Sequence, residues 1–168
     1  MNYAKIKHFD IANGEGVRTS LFVSGCQFQC PDCFNQEAWD YNYGTPYTQE
    51  TTDHILSTLQ APYVDGLSIL GGDPLWQDED DITQLIDLVK QVKTIEKSVW
   101  IWSGFTWEQL PALSPSKRNL VQLCDVMIDG LYNNALRDLR LKWRGSSNQR
   151  VIDIQESLNQ QKVVLYEE

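Results

Sequence analysis

The chain has 168 residues, 42% hydrophobic and 22% charged, which suits one globular domain with its own core (1–168) and is too short for two ordinary ones. A net charge of −9 with no broad basic face argues against nucleic acid as a partner, and no run approaches the ~20 apolar residues of a membrane span. The opening "MNYAKIKHFD" has no apolar stretch of signal-peptide type, so a cytoplasmic protein is expected, where clustered cysteines bind metal or do redox chemistry more often than they form disulfides.

Four short apolar runs each end at a glycine: "LFVSGC" (21–26), "LSILGGD" (67–73), "VWIWSGF" (99–105) and "VMIDGLY" (126–132). Continuous β-branched and aromatic runs of this length, closed by glycine, predict strands buried on both faces. Helical patterns alternate with them. Residues 48–60 put Ile55, Leu56 and Leu59 on one stripe behind Thr48 as N-cap, and residues 78–93 put Ile82, Leu85, Ile86, Val89 and Val92 at three- and four-residue steps. Shorter helices are expected over 106–110 and 116–123, with further strands near 151–154 and 163–166. The acidic run "QDEDD" (77–81) falls where the second helix begins and reads as favourable first-turn charge rather than as a metal site.

Alternating strands and helices predict an α/β fold with a mainly parallel sheet. A full eightfold barrel takes ~250 residues, so this chain has material for a partial (β/α) barrel only. In such sheets function gathers at the carboxyl ends of the strands, and the cysteines, "GGDP", "SGF" and "DG" all follow strands. Arg18 is expected to project from the first strand, with a carboxylate in the site as its possible partner. Arg137, Arg140, Lys142, Arg144 and Arg150 reverse the local charge in an acidic chain, which suggests a partner-docking or gating surface. Beside them Trp143 reads either as an interface anchor or as core.

Cys26, Cys30 and Cys33 stand within eight positions, and Cys124 is far away in "LVQLCDVMI", where it reads as a small buried hydrophobe. Three ligands on a metal that prefers four leave one position open. Structural zinc would need a fourth ligand from His8, His54 or Cys124, none of them near in sequence, and both histidines read as surface residues. A redox pair at Cys30 and Cys33 would leave Cys26 unexplained. Iron–sulfur clusters are held by thiolates at short spacings, and a cubane with three protein ligands keeps one iron exchangeable.

The spacing Cys-x-x-x-Cys-x-x-Cys resembles the signature of the radical S-adenosylmethionine (SAM) superfamily. The wider stretch "NGEGVRTSLFVSGCQFQCPDCFN" (13–35), with "GGDPL" (71–75) and "WRGSSNQ" (143–149), is similar to the glycyl-radical-enzyme activases, and among them to the branch serving anaerobic ribonucleoside-triphosphate reductase. That resemblance implies a 4Fe–4S cluster on Cys26, Cys30 and Cys33, with SAM completing the open iron. Reductive cleavage of SAM would then yield a 5′-deoxyadenosyl radical that takes hydrogen from a glycine of the reductase catalytic subunit. An electron donor such as flavodoxin or ferredoxin is implied as a second partner.

The resemblance also implies SAM contacts. Asp32 and Phe34 flank Cys33, where an aromatic ring would lie against adenine. Gly71 and Gly72 would let the backbone approach SAM closely, and the loop at Asp73 would meet its ammonium; Asp73 stands where the wider superfamily has glutamate. Ser103 and Asp129 either hydrogen-bond the ribose or methionine portion or cap the turns that follow them. Arg144 would neutralise the SAM carboxylate or the cluster. Alternative readings are an activase of formate-lyase type and a small-molecule radical SAM enzyme.

Overall fold

The computed structural model describes residues 1–33 and 36–167. Seven strands form one sheet: β1 (Asn2–Asp10), β2 (Arg18–Val23), β3 (Thr45–Pro46), β4 (Gly66–Gly71), β5 (Ser98–Ser103), β6 (Val126–Asp129) and β7 (Arg150–Asp153), in the order β3-β1-β2-β4-β5-β6-β7. The four glycine-ended runs are β2, β4, β5 and β6, and these central strands are parallel as expected. β1 and β7 flank them antiparallel and β3 pairs antiparallel with β1, so the sheet is mixed, and its two edges are different strands that do not meet.

Helices α1 (Gln49–Thr58), α2 (Glu79–Thr94) and α3 (Pro115–Leu123) connect the parallel strands, and α4 (Ile154–Gln160) follows β7. Thr48 is the N-cap of α1, its N–H donating to Thr51 Oγ1 at 3.1 Å. In "QDEDD" the Asp78 carboxylate caps α2 by accepting from the Asp81 N–H at 2.9 Å, and Glu79, Asp80 and Asp81 fill the first turn. The short helix expected over 106–110 is a 3-10 helix, Trp107–Ala112. Near 163–166 only an isolated bridge forms, between Ile152 and Leu165.

Alternate strand residues face opposite ways, which sorts the sheet into two unlike faces. Leu21, Val23, Leu67, Ile69, Val99, Ile101 and Met127 join Ile55, Ile82, Leu85, Val89 and Leu120 of the helices in one apolar core. The second face carries Arg18, Ser20, Ser68, Leu70, Trp100, Trp102 and Ile128. Trp143, half-buried, packs there against Trp100 with ring centres 4.8 Å apart and also lines a surface groove. The buried polar groups at the foot of this face are hydrogen-bonded. The Ser20 hydroxyl donates to Asp10 at 2.7 Å, and Asp10 also accepts from the Ala12 N–H and from Asn13 Nδ2.

Arg18 departs from expectation. It opens β2, at the sheet end opposite the cysteines, and is 1% exposed. Its guanidinium donates to Ser68 Oγ (2.8 Å) and to the carbonyls of Leu67 (2.9 Å), Ser98 (3.1 Å) and Glu15 (3.0 Å), and lies over the Trp100 ring. Its role is to tie three strands together at their foot. Burial lowers its pKa to about 10, which leaves it charged at neutral pH.

No helix among the described residues is long and apolar enough to cross a membrane.

Candidate functional site

The cysteine loop leaves β2 at Val23 and is shaped from both sides by backbone. Gly25 N–H donates to the Ala38 carbonyl (2.6 Å) and Cys26 N–H to that of Trp39 (3.3 Å). A turn between Cys30 and Cys33 is closed by the Cys33 N–H on the Cys30 carbonyl (3.2 Å), with Gln29 and Asp32 at positive φ. Between the first two cysteines Phe28 turns inward, its ring 4.7 Å from Phe105 and 5.5 Å from Trp76, both edge-on. This three-ring anchor was not anticipated, although Phe28 lies inside the cysteine motif. Its partners come from loops 48 and 77 residues away.

"GGDP" forms the other wall. Gly72 N–H donates to the Val23 carbonyl (2.7 Å) and Asp73 N–H to that of Gly25 (2.8 Å). Gln77, buried and also unanticipated, donates through Nε2 to the carbonyls of Ser24 (3.0 Å) and Asp73 (3.1 Å). A Cβ on Gly72 would lie 2.6 Å from the Gly25 carbonyl oxygen and 2.7 Å from that of Ala38, and one on Gly71, whose φ is +114°, would strike the backbone of Val23. The missing side chains therefore let this loop press against the protein's own cysteine loop, while Gly71 and Gly72 still border the pocket.

The Asp73 carboxylate is 2% exposed and also turned inward. It accepts from Leu75 N–H (2.9 Å), which caps the 3-10 turn Pro74–Trp76, and from Gly104 N–H (2.8 Å) and the Ser103 hydroxyl (2.9 and 3.1 Å). It thus joins the loops after β4 and β5. Burial pushes its pKa up to about 6 against those hydrogen bonds. Asp129 accepts from Trp107 N–H (2.8 Å) at the start of the 3-10 helix 107–112, and pairs with Arg150 at 2.6 Å. Of its two expected roles, capping is the one its bonds make. Arg150 also reaches Glu108, so this member of the basic segment is neutralised within the chain.

Cys26, Cys30, Cys33, Gly71, Gly72, Asp73 and Ser103 line one pocket of about 140 Å³ at the carboxyl ends of β2, β4 and β5. Asp32 and Arg144 line a neighbouring groove of about 770 Å³, which shares Leu70, Trp102, Tyr132 and Gln149 with the pocket. The Arg144 guanidinium donates to the Gln149 carbonyl there. Asp129 lines neither cavity, and Phe34 lies outside the described residues. Cys124 is fully buried at the end of α3, its Sγ against the Leu120 carbonyl at 3.2 Å, as expected of a core residue.

The thiols are half-buried, and burial raises the pKa of Cys26 to about 11 and that of Cys30 also, with Cys33 adding to the latter. A bound cation reverses that trend, because coordination favours the thiolate. Among the described residues no three His, Cys, Asp or Glu side chains converge tightly enough for a single ion. Three soft donors spread around the wall of one pocket fit a multi-iron group better than a lone zinc.

Comparison with known proteins agrees. Residues 12–152 match the family model described as a 4Fe-4S single cluster domain. Anaerobic ribonucleoside-triphosphate reductase-activating proteins match along nearly their whole length. That of Vibrio cholerae is 40% identical over 153 residues (89% of this chain, 96% of the relative). Those of Escherichia coli and of Enterobacteria phage T4 are 39% and 38% identical, each over 90% of this chain and over 97% and 93% of the relative. The chain belongs to this family of activating proteins. The matched iron–sulfur domain runs from the loop before β2 to β7, so it takes in the cysteine pocket, the "GGDP" wall and the groove alike.

Proposed function

We propose that this protein activates an anaerobic ribonucleoside-triphosphate reductase by reductive cleavage of SAM at a 4Fe–4S cluster, and so forms a glycyl radical on the reductase catalytic subunit. The observation that carries the reading is the set of three thiols on one pocket wall facing the Gly71–Asp73 loop, with Cys124 at the far end of the sheet. Cys26, Cys30 and Cys33 would hold the cluster and leave one iron for SAM. When bound and reduced, the cluster supplies one electron to SAM, which divides into methionine and a 5′-deoxyadenosyl radical able to take hydrogen from glycine.

The chain's own residues bind and orient. Ser103 and Asp73, locked to each other, fix two strand-end loops at the pocket, while Gly71 and Gly72 press the second wall onto the cysteine loop. Asp32 and Arg144 border the groove beside it, where Arg144 suits a carboxylate. That groove ends at exposed residues such as Arg137 and Leu139, which favours a segment of a large partner over an enclosed small substrate. We read the open sheet as a partial barrel in a single cytoplasmic domain, served by a donor such as flavodoxin or ferredoxin.

The test is anaerobic incubation with reductant, SAM and the reductase, followed by electron paramagnetic resonance. A glycyl-radical signal is expected with the wild-type chain and with Cys124→Ala, which keeps about four irons, and not with Cys30→Ala, which loses most of them. Full iron and an undiminished signal in Cys30→Ala would refute the assignment.

A further inference from the structure

We infer that His8 and His54 form a surface site for a borderline divalent metal ion of the zinc class, separate from the iron–sulfur chemistry. His8 lies near the foot of β1 and His54 on α1, 46 residues on, and both are exposed. They are the two histidines of the whole chain. Their Nε2 atoms face each other at 3.2 Å, with ring centres 5.1 Å apart and planes at 79°.

That geometry matches two ligands on one ion. Nitrogens 2.0–2.1 Å from a tetrahedral zinc stand roughly 3.3 Å apart, and the ring centres behind them roughly 5.2 Å. A hydrogen bond running along both ring axes at the observed nitrogen separation would set the centres farther apart, about 5.5 Å. The observed 5.1 Å takes at least one ring off that line, and although the pair can share one proton in a hydrogen bond, the two separations are also those of two ligands on one ion. Imidazole suits zinc-class ions, and exposure leaves the remaining coordination positions to water. Glu50, one turn before His54 on the same helix, lines a surface hollow with it and adds negative charge. The two ligands come from different elements, so a bound ion would staple α1 to β1, at a distance from the cysteine loop set by the length of the sheet.

The probe is zinc ion alone, titrated into the anaerobic, cluster-loaded chain while imidazole ¹H–¹⁵N signals and the cluster's visible absorbance are followed. Signals of both histidines should shift together and saturate near about one equivalent, with absorbance unchanged and a raised thermal midpoint. His8→Gln and His54→Gln should each weaken binding at least about tenfold. Four outcomes overturn the site: no shift up to about millimolar zinc, a shift of one histidine only, less than tenfold weakening by either substitution, or bleaching of the cluster with the histidines unmoved.

Discussion

The two faces of the sheet share strands but follow different rules. On the helix-covered face Leu21, Leu67, Ile69, Val99, Ile101 and Met127 are wholly buried, and apolar burial is the dominant stabilising term there. One residue over, the opposite face carries Asp10, Arg18, Ser20 and Ser68 at its foot and Leu70 and Trp102 near the cysteines. Its polar groups are satisfied by bonds rather than excluded. The comparison teaches that period-two alternation lets one set of strands separate stability from function, even where the sequence reads as an unbroken apolar run.

The largest test of that separation compares neighbours. Ile69→Ala should lower unfolding free energy by about 2–5 kcal/mol in denaturant titration. Leu70→Ala, on the other face at the border of pocket and groove, should cost less stability and reduce radical yield more. Equal destabilisation by both would break the distinction.

Arg18→Met probes the foot of the functional face. It should cost about 2–3 kcal/mol, because it leaves the Ser68 hydroxyl and two buried carbonyls short of a donor, while iron loading stays unchanged. Loss of iron at unaltered stability would return Arg18 to the site.

Gly72→Ala against Gly104→Ala sharpens the account of the pocket wall. At Gly72 a Cβ meets fixed backbone oxygens, whereas at Gly104 it meets the side chains of Leu131 and Phe28 at 2.6–2.7 Å, which have more room to give. Iron content should fall by about half or more in the first and by less in the second. The reverse order would mean that the Phe28 anchor, rather than the glycine wall, fixes the loop.

The smallest expected effect lies at the groove's rim. Arg137→Glu with Arg140→Glu should weaken reductase association several-fold, on the order of 1 kcal/mol, measured by sedimentation, with SAM affinity unchanged. Equal loss of both would assign these residues to SAM.

Much of this was legible because it is local. Apolar runs closed by glycine marked the parallel strands, three-and-four spacing marked α2, and the cysteine spacing marked the pocket. β1 escaped notice because its residues are mostly half-buried or exposed and include Lys5 and Lys7, so it has no apolar run. The apolar run from Leu21 marked only the second half of β2, whose first three residues, Arg18, Thr19 and Ser20, are polar yet buried among bonding partners. The contacts that Gly72 and Asp73 make within the chain were hidden for another reason. The backbone that Gly72 packs against belongs to Gly25 and Ala38, and no local pattern reports that contact.

The bonds from Gly72, Asp73 and Gln77 to residues 23–25 also bear on the order of assembly during synthesis. When Cys33 leaves the ribosome all three thiols are present, but the wall that shapes their loop is still more than forty residues from completion. A nascent chain offers loose thiols until Gln77 has emerged and β4 has docked beside β2. Cofactor insertion into a shaped pocket is therefore a late event, and a chain stalled before that point would present its cysteines to any thiol-seeking metal in the cell.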